Sequence, residues 1–301
     1  MKRQDKDYLY HYTTLEAFIN IVKEQEIWAS NIFYMNDTRE FHWAVDLAKK
    51  LLKTEMDSRS VENRDTLARM DDELTKIKPG DVPMSVFGCS FSEKNDDLNQ
   101  WRAYCHKGGV SIGFRRTDLD DIAETQSGTG FVRCVYDENE QRSLIREAIS
   151  RAVEANPGGG IASKILPEER AQWCALFLQF LLAEMPIKDP TFEGEREWRW
   201  IRSPEPGIRR EPEPKEKDAE IVTDPVGFRT RDGLIIPYWK FKLNPYSDMK
   251  IWRNCQITVG PNPHMHETKA SIEHMLKYYC DETWFNSPSK VELSKVPDRY
   301  C

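Results

Sequence analysis

Segments that read as strands precede, interrupt and follow the helical ones along this chain, with no regular strand–helix–strand alternation. A doubly wound parallel sheet needs repeated βαβ units, so this order predicts an α+β protein with a mainly antiparallel sheet and flanking helices. The opening strand covers Tyr8 to Tyr12, and Thr13 with Glu16 forms a capping box for a helix carrying Leu15, Phe18, Ile19 and Val22 at helical spacing. Ile27 to Tyr34 reads as strand or irregular structure. Asp37 and Glu40 then cap a helix through Leu52, and a polar helix follows over Val61 to Ile77. Strands are expected at Met84–Phe91, Val110–Phe114, Phe131–Tyr136, Leu234–Leu243 and Ile251–Val259. Helices are expected at Asp96–Tyr104, Glu138–Glu154, Pro167–Met185 and Glu267–Tyr279. Glu195 to Ile201 alternates strictly, which sets Glu195, Glu197 and Arg199 on one side of a strand and Arg196, Trp198 and Trp200 on the other.

These elements predict a single α+β domain over 1–301, with helical elaborations at 53–80 and 138–190 and a charged, Pro-rich loop at 203–219. The net charge is −7 and no block of Lys and Arg occurs, so the balance argues against DNA or RNA as an obligate partner. The seven Cys are scattered singly with no C-x-x-C pair, which indicates reduced thiols rather than a disulfide framework or a zinc knuckle. The longest apolar run, Cys174 to Met185, is broken by Gln179 and Glu184 and is too short to span a bilayer. The N-terminus is charged, with no apolar signal run after it. A cytoplasmic location and no membrane partner are expected.

Three motif-like strings lack the context their chemistry needs. Gly109-Val110-Ser111-Ile112-Gly113 matches a nucleophile elbow in letters but reads as continuous strand, where an elbow needs a strand, a sharp turn and a helix. His264 and His266 could ligate zinc, yet no further ligand spacing follows, so no metal is expected. Gly158-Gly159-Gly160 lies between predicted helices and is no phosphate loop.

Polar side chains gather instead at three strand ends: His11-Tyr12-Thr13; Ser90-Phe91-Ser92-Glu93 leading to Gln100-Trp101-Arg102 and Tyr104; and Glu195-Arg196-Glu197-Trp198-Arg199. Their neighbours carry a resemblance. Tyr10-His11-Tyr12-Thr13, Trp28-Ala29-Ser30-Asn31, Asn36 to Phe41, Cys89 to Glu93, Gln100 to Tyr104, Gly109 to Phe114, Glu195 to Arg199, Ile236-Pro237-Tyr238 and Val259-Gly260-Pro261 resemble a bacterial family known as domain of unknown function 2971. The family name implies no activity.

The order of a His on the first strand, Ser-x-Ser on a middle strand and Glu-x-Glu on a late one is also similar to the ADP-ribosyltransferase superfamily. That resemblance implies a split, mainly antiparallel sheet that cradles NAD as substrate. It implies that His11 bonds an NAD ribose, that Ser90 and Ser92 support the nicotinamide pocket, and that Glu197 holds the ribose 2′-hydroxyl. Glu195 would face the nucleophile, and Tyr12 or Tyr104 would stack on nicotinamide, with Thr13, Arg102 and Arg199 lining the cofactor site. A bacterial toxin, or a stress or defence effector, is the role it suggests, with the acceptor left open. The residue types suit the chemistry. Cleaving the nicotinamide–ribose bond develops an oxocarbenium-like sugar, which a nearby carboxylate stabilises in the transition state, and Arg199 could hold phosphate bidentately.

The same residues also suit plain structural roles. Glu195 and Glu197 could pair with Arg102, Arg199 or Arg202, His11 could bond a backbone carbonyl, and Ser90 and Ser92 could satisfy local backbone. Two other functions compete: a nucleotide-binding effector module without turnover, and a metal-dependent hydrolase or nuclease using Asp37, Glu40, Glu93, Asp96 and Asp97 with His11.

Overall fold

Alternation of large apolar and polar residues along the strands gives this chain one dry sheet face. In the computed structural model, residues 7–35, 38–58, 61–76, 86–105, 108–126, 129–154, 187–202, 226–231, 233–244, 251–280 and 291–297 are described. Their strands are β1 (Tyr8–Thr14), β2 (Glu26–Asn31), β3 (Phe87–Ser92), β4 (Gly109–Arg115), β5 (Thr129–Arg133), β6 (Glu197–Arg202), β7 (Val226–Arg231), β8 (Leu234–Lys242), β9 (Gln256–Val259) and β10 (Val291–Leu293). The helices are α1 (Leu15–Glu24), α2 (Thr38–Ser58), α3 (Val61–Lys76), α4 (Leu98–Tyr104), α5 (Arg116–Glu124), α6 (Glu138–Glu154) and α7 (Met265–Tyr279).

The strands join one open sheet in the order β10-β9-β4-β1-β3-β2-β8-β7, antiparallel throughout except for β10 beside β9. The protein is therefore α+β with a large, mostly antiparallel sheet. The sheet forks at β3. One edge of β3 pairs with β6 along its whole length, from Phe87↔Arg202 to Ser92↔Glu197, and β6 carries β5 beyond it. The other edge is shared: β1 meets it at Ser92 (Tyr10↔Ser92), and β2 meets it at Gly88 and Phe87. Cys89 to Phe91 lie between these two attachments.

Leu9, Phe91, Ile112, Phe114, Trp200 and Phe241 face the main core, which α1, α5 and α7 cover with Phe18, Val22, Leu119, Ile122, Ile272 and Leu276. The opposite face of β1 packs Tyr10 and Tyr12 against Trp101 and Cys105 beside α4. A second core forms where α2, α3 and α6 meet, with Leu51, Leu52, Leu67, Met70, Ile145 and Ile149 buried together with Ile187. The weak apolar stripe of α3 is thus enough to seat it.

Several sequence expectations are corrected. The cap of α1 is Thr14, whose hydroxyl accepts from the Ala17 amide, while Thr13 belongs to β1. In α1, Ile21 faces the core and Ile19 is exposed. Ile251 starts a 3-10 turn, and its strand begins only at Gln256. The short strands β7 and β10 and the helix α5 are additional. Asp37, the predicted helix at 167–185, Gly158–Gly160 and the loop at 203–219 lie outside the described residues, as does the side chain of Glu40. Among the described residues, no helix is long and apolar enough to cross a membrane.

Candidate functional site

His11, Ser90 and Glu197 come from three distant stretches and are linked at the fork through Ser90, from its two faces. The β3 edge between the β1 and β2 attachments leaves the Ser90 carbonyl without a strand partner on that side, and the His11 ring takes the place of one, with Nδ1 3.0 Å from Ser90 O. A carbonyl only accepts, so Nδ1 carries the proton and Nε2 of the neutral ring is left as an acceptor. The ring tilts against Phe91 at 5.5 Å between centroids. Burial, and to a lesser degree the Arg229 charge, hold His11 below its ordinary value, outweighing the bond to Ser90.

The side chain of Ser90 points to the other face and donates to Glu197 Oε1 at 2.5 Å. Glu197 is 3 % exposed. Arg199 grips its carboxylate from the side, Nε to Oε1 at 2.8 Å and Nη2 to Oε2 at 3.1 Å, and Lys188 Nζ lies 2.5 Å from Oε2. Each carboxylate oxygen therefore accepts two hydrogen bonds. Burial pushes the Glu197 carboxyl up, but the Arg199 and Lys188 charges and their hydrogen bonds outweigh it and bring the value down to about 2. The group is ionised throughout the physiological range. The backbone holds too: the Glu197 amide donates to Tyr136 Oη and its carbonyl accepts from the Cys134 amide, each at 2.9 Å.

Glu195 is not on the strand. Arg196 takes a left-handed conformation (φ 46°) at the end of a 3-10 turn over Pro190–Glu195, which breaks the extended run that strict alternation predicted. The two acids are nonetheless joined, because Lys188 Nζ also lies 2.5 Å from Glu195 Oε2. Lys188 is the residue sequence reasoning missed. It stands nine positions before Glu197, next to Ile187 of the helical core, and no periodicity marks it.

The other predicted positions are distributed around this cluster. Tyr104 lies close enough that burial and then the Glu197 and Glu195 charges hold its hydroxyl protonated, well above its ordinary value. Ser92 donates to the Glu195 carbonyl at 2.7 Å and accepts from the Lys94 amide. Tyr12 is locked into the junction of β1 and α4, its hydroxyl donating to Lys94 O and accepting from the Asp97 amide, with its ring edge-on to Trp101. That geometry takes Tyr12 away from any stacking role. Thr13 is buried, with its carbonyl near Cys105 Sγ, and Arg102 is exposed on α4.

Of the acids of the metal-dependent alternative, Glu93, Asp96 and Asp97 are engaged by nearby donors instead. Asp96 accepts from Trp101 Nε1, Ser294 Oγ and the Lys295 amide; Asp97 caps α4; Glu93 accepts from Trp198 Nε1. Among the described residues, no group of three His, Cys, Asp or Glu gathers in a way that could hold a metal ion. Ser111 is fully buried in β4 with strand on both sides, so the elbow string has no elbow geometry.

No curated protein and no solved structure matches the chain. A family described as protein of unknown function (DUF2971) matches residues 100–200, from α4 through Lys188, Glu195 and Glu197 into β6. It is the family that the longer series of sequence signatures resembles, and over that stretch the chain is similar to it.

Proposed function

We propose that the chain is an ADP-ribosyltransferase-like protein that takes NAD at the fork of its sheet and cleaves the nicotinamide–ribose bond, as a transferase or a glycohydrolase. The single observation that carries this reading is the buried, ionised Glu197 carboxylate held by Ser90, Arg199 and Lys188 where β1 and β2 part, with His11 bonded to the Ser90 carbonyl from the other face of the sheet. An imidazole with Nε2 as acceptor suits a ribose hydroxyl. A carboxylate held ionised suits an oxocarbenium-like sugar, because its charge is in place before the transition state forms.

Glu197 is saturated in this arrangement, so turnover requires one carboxylate oxygen to be released. Lys188 is the partner to yield, since Glu195 remains to receive its ammonium. The saturation of Glu197 also favours a second reading, a nucleotide-binding module without turnover.

Nicotinamide release from millimolar NAD, read beside calorimetric binding, separates these outcomes. Wild-type chain is expected to release nicotinamide, and Glu197→Gln to lower the rate by roughly 10²-fold or more. Lys188→Met, which removes one of the two donors on Oε2, is expected to raise it. Binding without release in both the wild type and Lys188→Met selects the second reading, and absence of NAD binding removes both.

A further inference from the structure

The arm of the fork opposite β1 carries charge that the cluster around Glu197 does not use. Arg229 and Arg231 stand at i and i+2 on β7, so both project to one face, about 7 Å apart. Their partners are neutral: Arg229 Nη2 donates to Ser30 Oγ at 2.6 Å, and Arg231 Nη2 donates to the Tyr34 carbonyl at 2.8 Å. Among the described residues, neither is paired with a carboxylate, and Arg229 Nε is buried with no hydrogen-bond partner. A half-buried guanidinium beside a second cation is costly unless an anion answers it.

The position is informative as well. Arg229 reaches across β8 to Ser30 on β2, the strand that leaves β3 at Gly88, and its charge is felt at His11 on β1. Trp28 shares the Ser30 side of β2 and stacks on Tyr238 at 4.2 Å, which gives the arginine pair an aromatic neighbour. Two guanidiniums, a hydroxyl and stacked rings suit a phosphate-bearing aromatic ligand better than a bare ion.

We propose that Arg229 and Arg231, with Ser30, form a binding site for the pyrophosphate of a nucleotide lying along the fork. The identity of the ligand rests on the NAD reading, whereas the anion chemistry is independent of turnover. Burial and the neighbouring Arg231 charge both lower the Arg229 pKa, and a bound phosphate would reverse that strain on its charge.

The test is titration of the full chain with ADP-ribose, inorganic pyrophosphate and orthophosphate, comparing wild type with Arg229→Gln, Arg231→Gln and Arg229→Met. Wild type is expected to bind ADP-ribose and pyrophosphate more tightly than orthophosphate, and Arg229→Gln to weaken the first two by roughly tenfold or more. Arg229→Met guards against a folding artefact. Without ligand it should melt no lower than wild type, having lost an unanswered charge, yet gain nothing from added pyrophosphate. Equal binding by Arg229→Gln, no binding by wild type, or an unliganded Arg229→Met that melts well below wild type overturns the proposal. So does pyrophosphate binding without ADP-ribose binding. Arg229-dependent binding of ADP-ribose with no nicotinamide release keeps this site and removes the catalytic reading, and undiminished release by Arg229→Gln does the reverse.

Discussion

Glu197 shows how strongly one buried carboxylate can be committed. Its two oxygens answer Arg199, Lys188 and Ser90, so Glu197→Gln leaves two buried cations facing an amide. Breaking such a pair from one side costs about 3–5 kcal/mol. Urea unfolding should show that loss, and the double variant Glu197→Gln/Lys188→Met should recover part of it. Additive losses would mean that the ion pair is not coupled. Acid should act on the same group. Its value falls from 4.5 to about 2 on folding, so the stability it contributes is complete above pH 4.5 and drains as pH drops toward 2. Urea midpoints followed from neutral pH down to about pH 3 should fall less steeply in Glu197→Gln. His11 moves in the complementary way. With a value held below 6.5 it stays neutral in the fold after the unfolded chain has taken its proton, so stability is full above 6.5 and is lost as pH falls toward the folded value. Proton NMR of the imidazole, assigned with His11→Gln, should place its midpoint below 6.5; a midpoint at or above it contradicts the desolvated, singly protonated ring.

At the scale of elements, the junctions decide what the strands present. Thr14 caps α1, so Thr14→Ala should cost about 1 kcal/mol in thermal or urea unfolding, through the lost bond to Ala17. Gly109 opens β4 against the preceding α4 segment. A Cβ there would lie 2.4 Å from the Thr13 carbonyl and 2.5 Å from Cys105 Sγ, so Gly109→Ala should cost about 1–3 kcal/mol by forcing β1 and α4 apart. These junctions also show where sequence reading succeeds. The opening strand, the helix over Glu138–Glu154, and the placing of Trp198 and Trp200 opposite Glu197 and Arg199 were legible, because period-two and period-3.6 patterns survive packing. The position of Glu195 was not, since one left-handed residue, Arg196, ends the alternation without changing the letters. Lys188 was out of reach for another reason: its partners are set by the path of the chain, which local pattern does not encode. The Arg229 and Arg231 pair did leave a signal, alternating charge in Phe228-Arg229-Thr230-Arg231, but its meaning depends on β2 and β8 lying beside it.

For the whole molecule, the sheet and the helical core are linked through a short stretch of chain. Ile187 is buried with α2, α3 and α6, and the next residue, Lys188, closes on Glu197. Packing in the helical core thereby fixes the backbone from which the clamp extends, while the fork sets His11 and Ser90 on the sheet side. In the proposed function a dinucleotide lies along this fork. The crystal structure of the chain with NAD bound tests it most directly. The nicotinamide ribose is expected within hydrogen-bonding distance of a Glu197 oxygen vacated by Lys188, with the pyrophosphate against Arg229 on the same face of the sheet. Density for NAD away from β3, or an occupied fork with Lys188 and Arg199 still saturating Glu197 and Arg229 untouched, would contradict it.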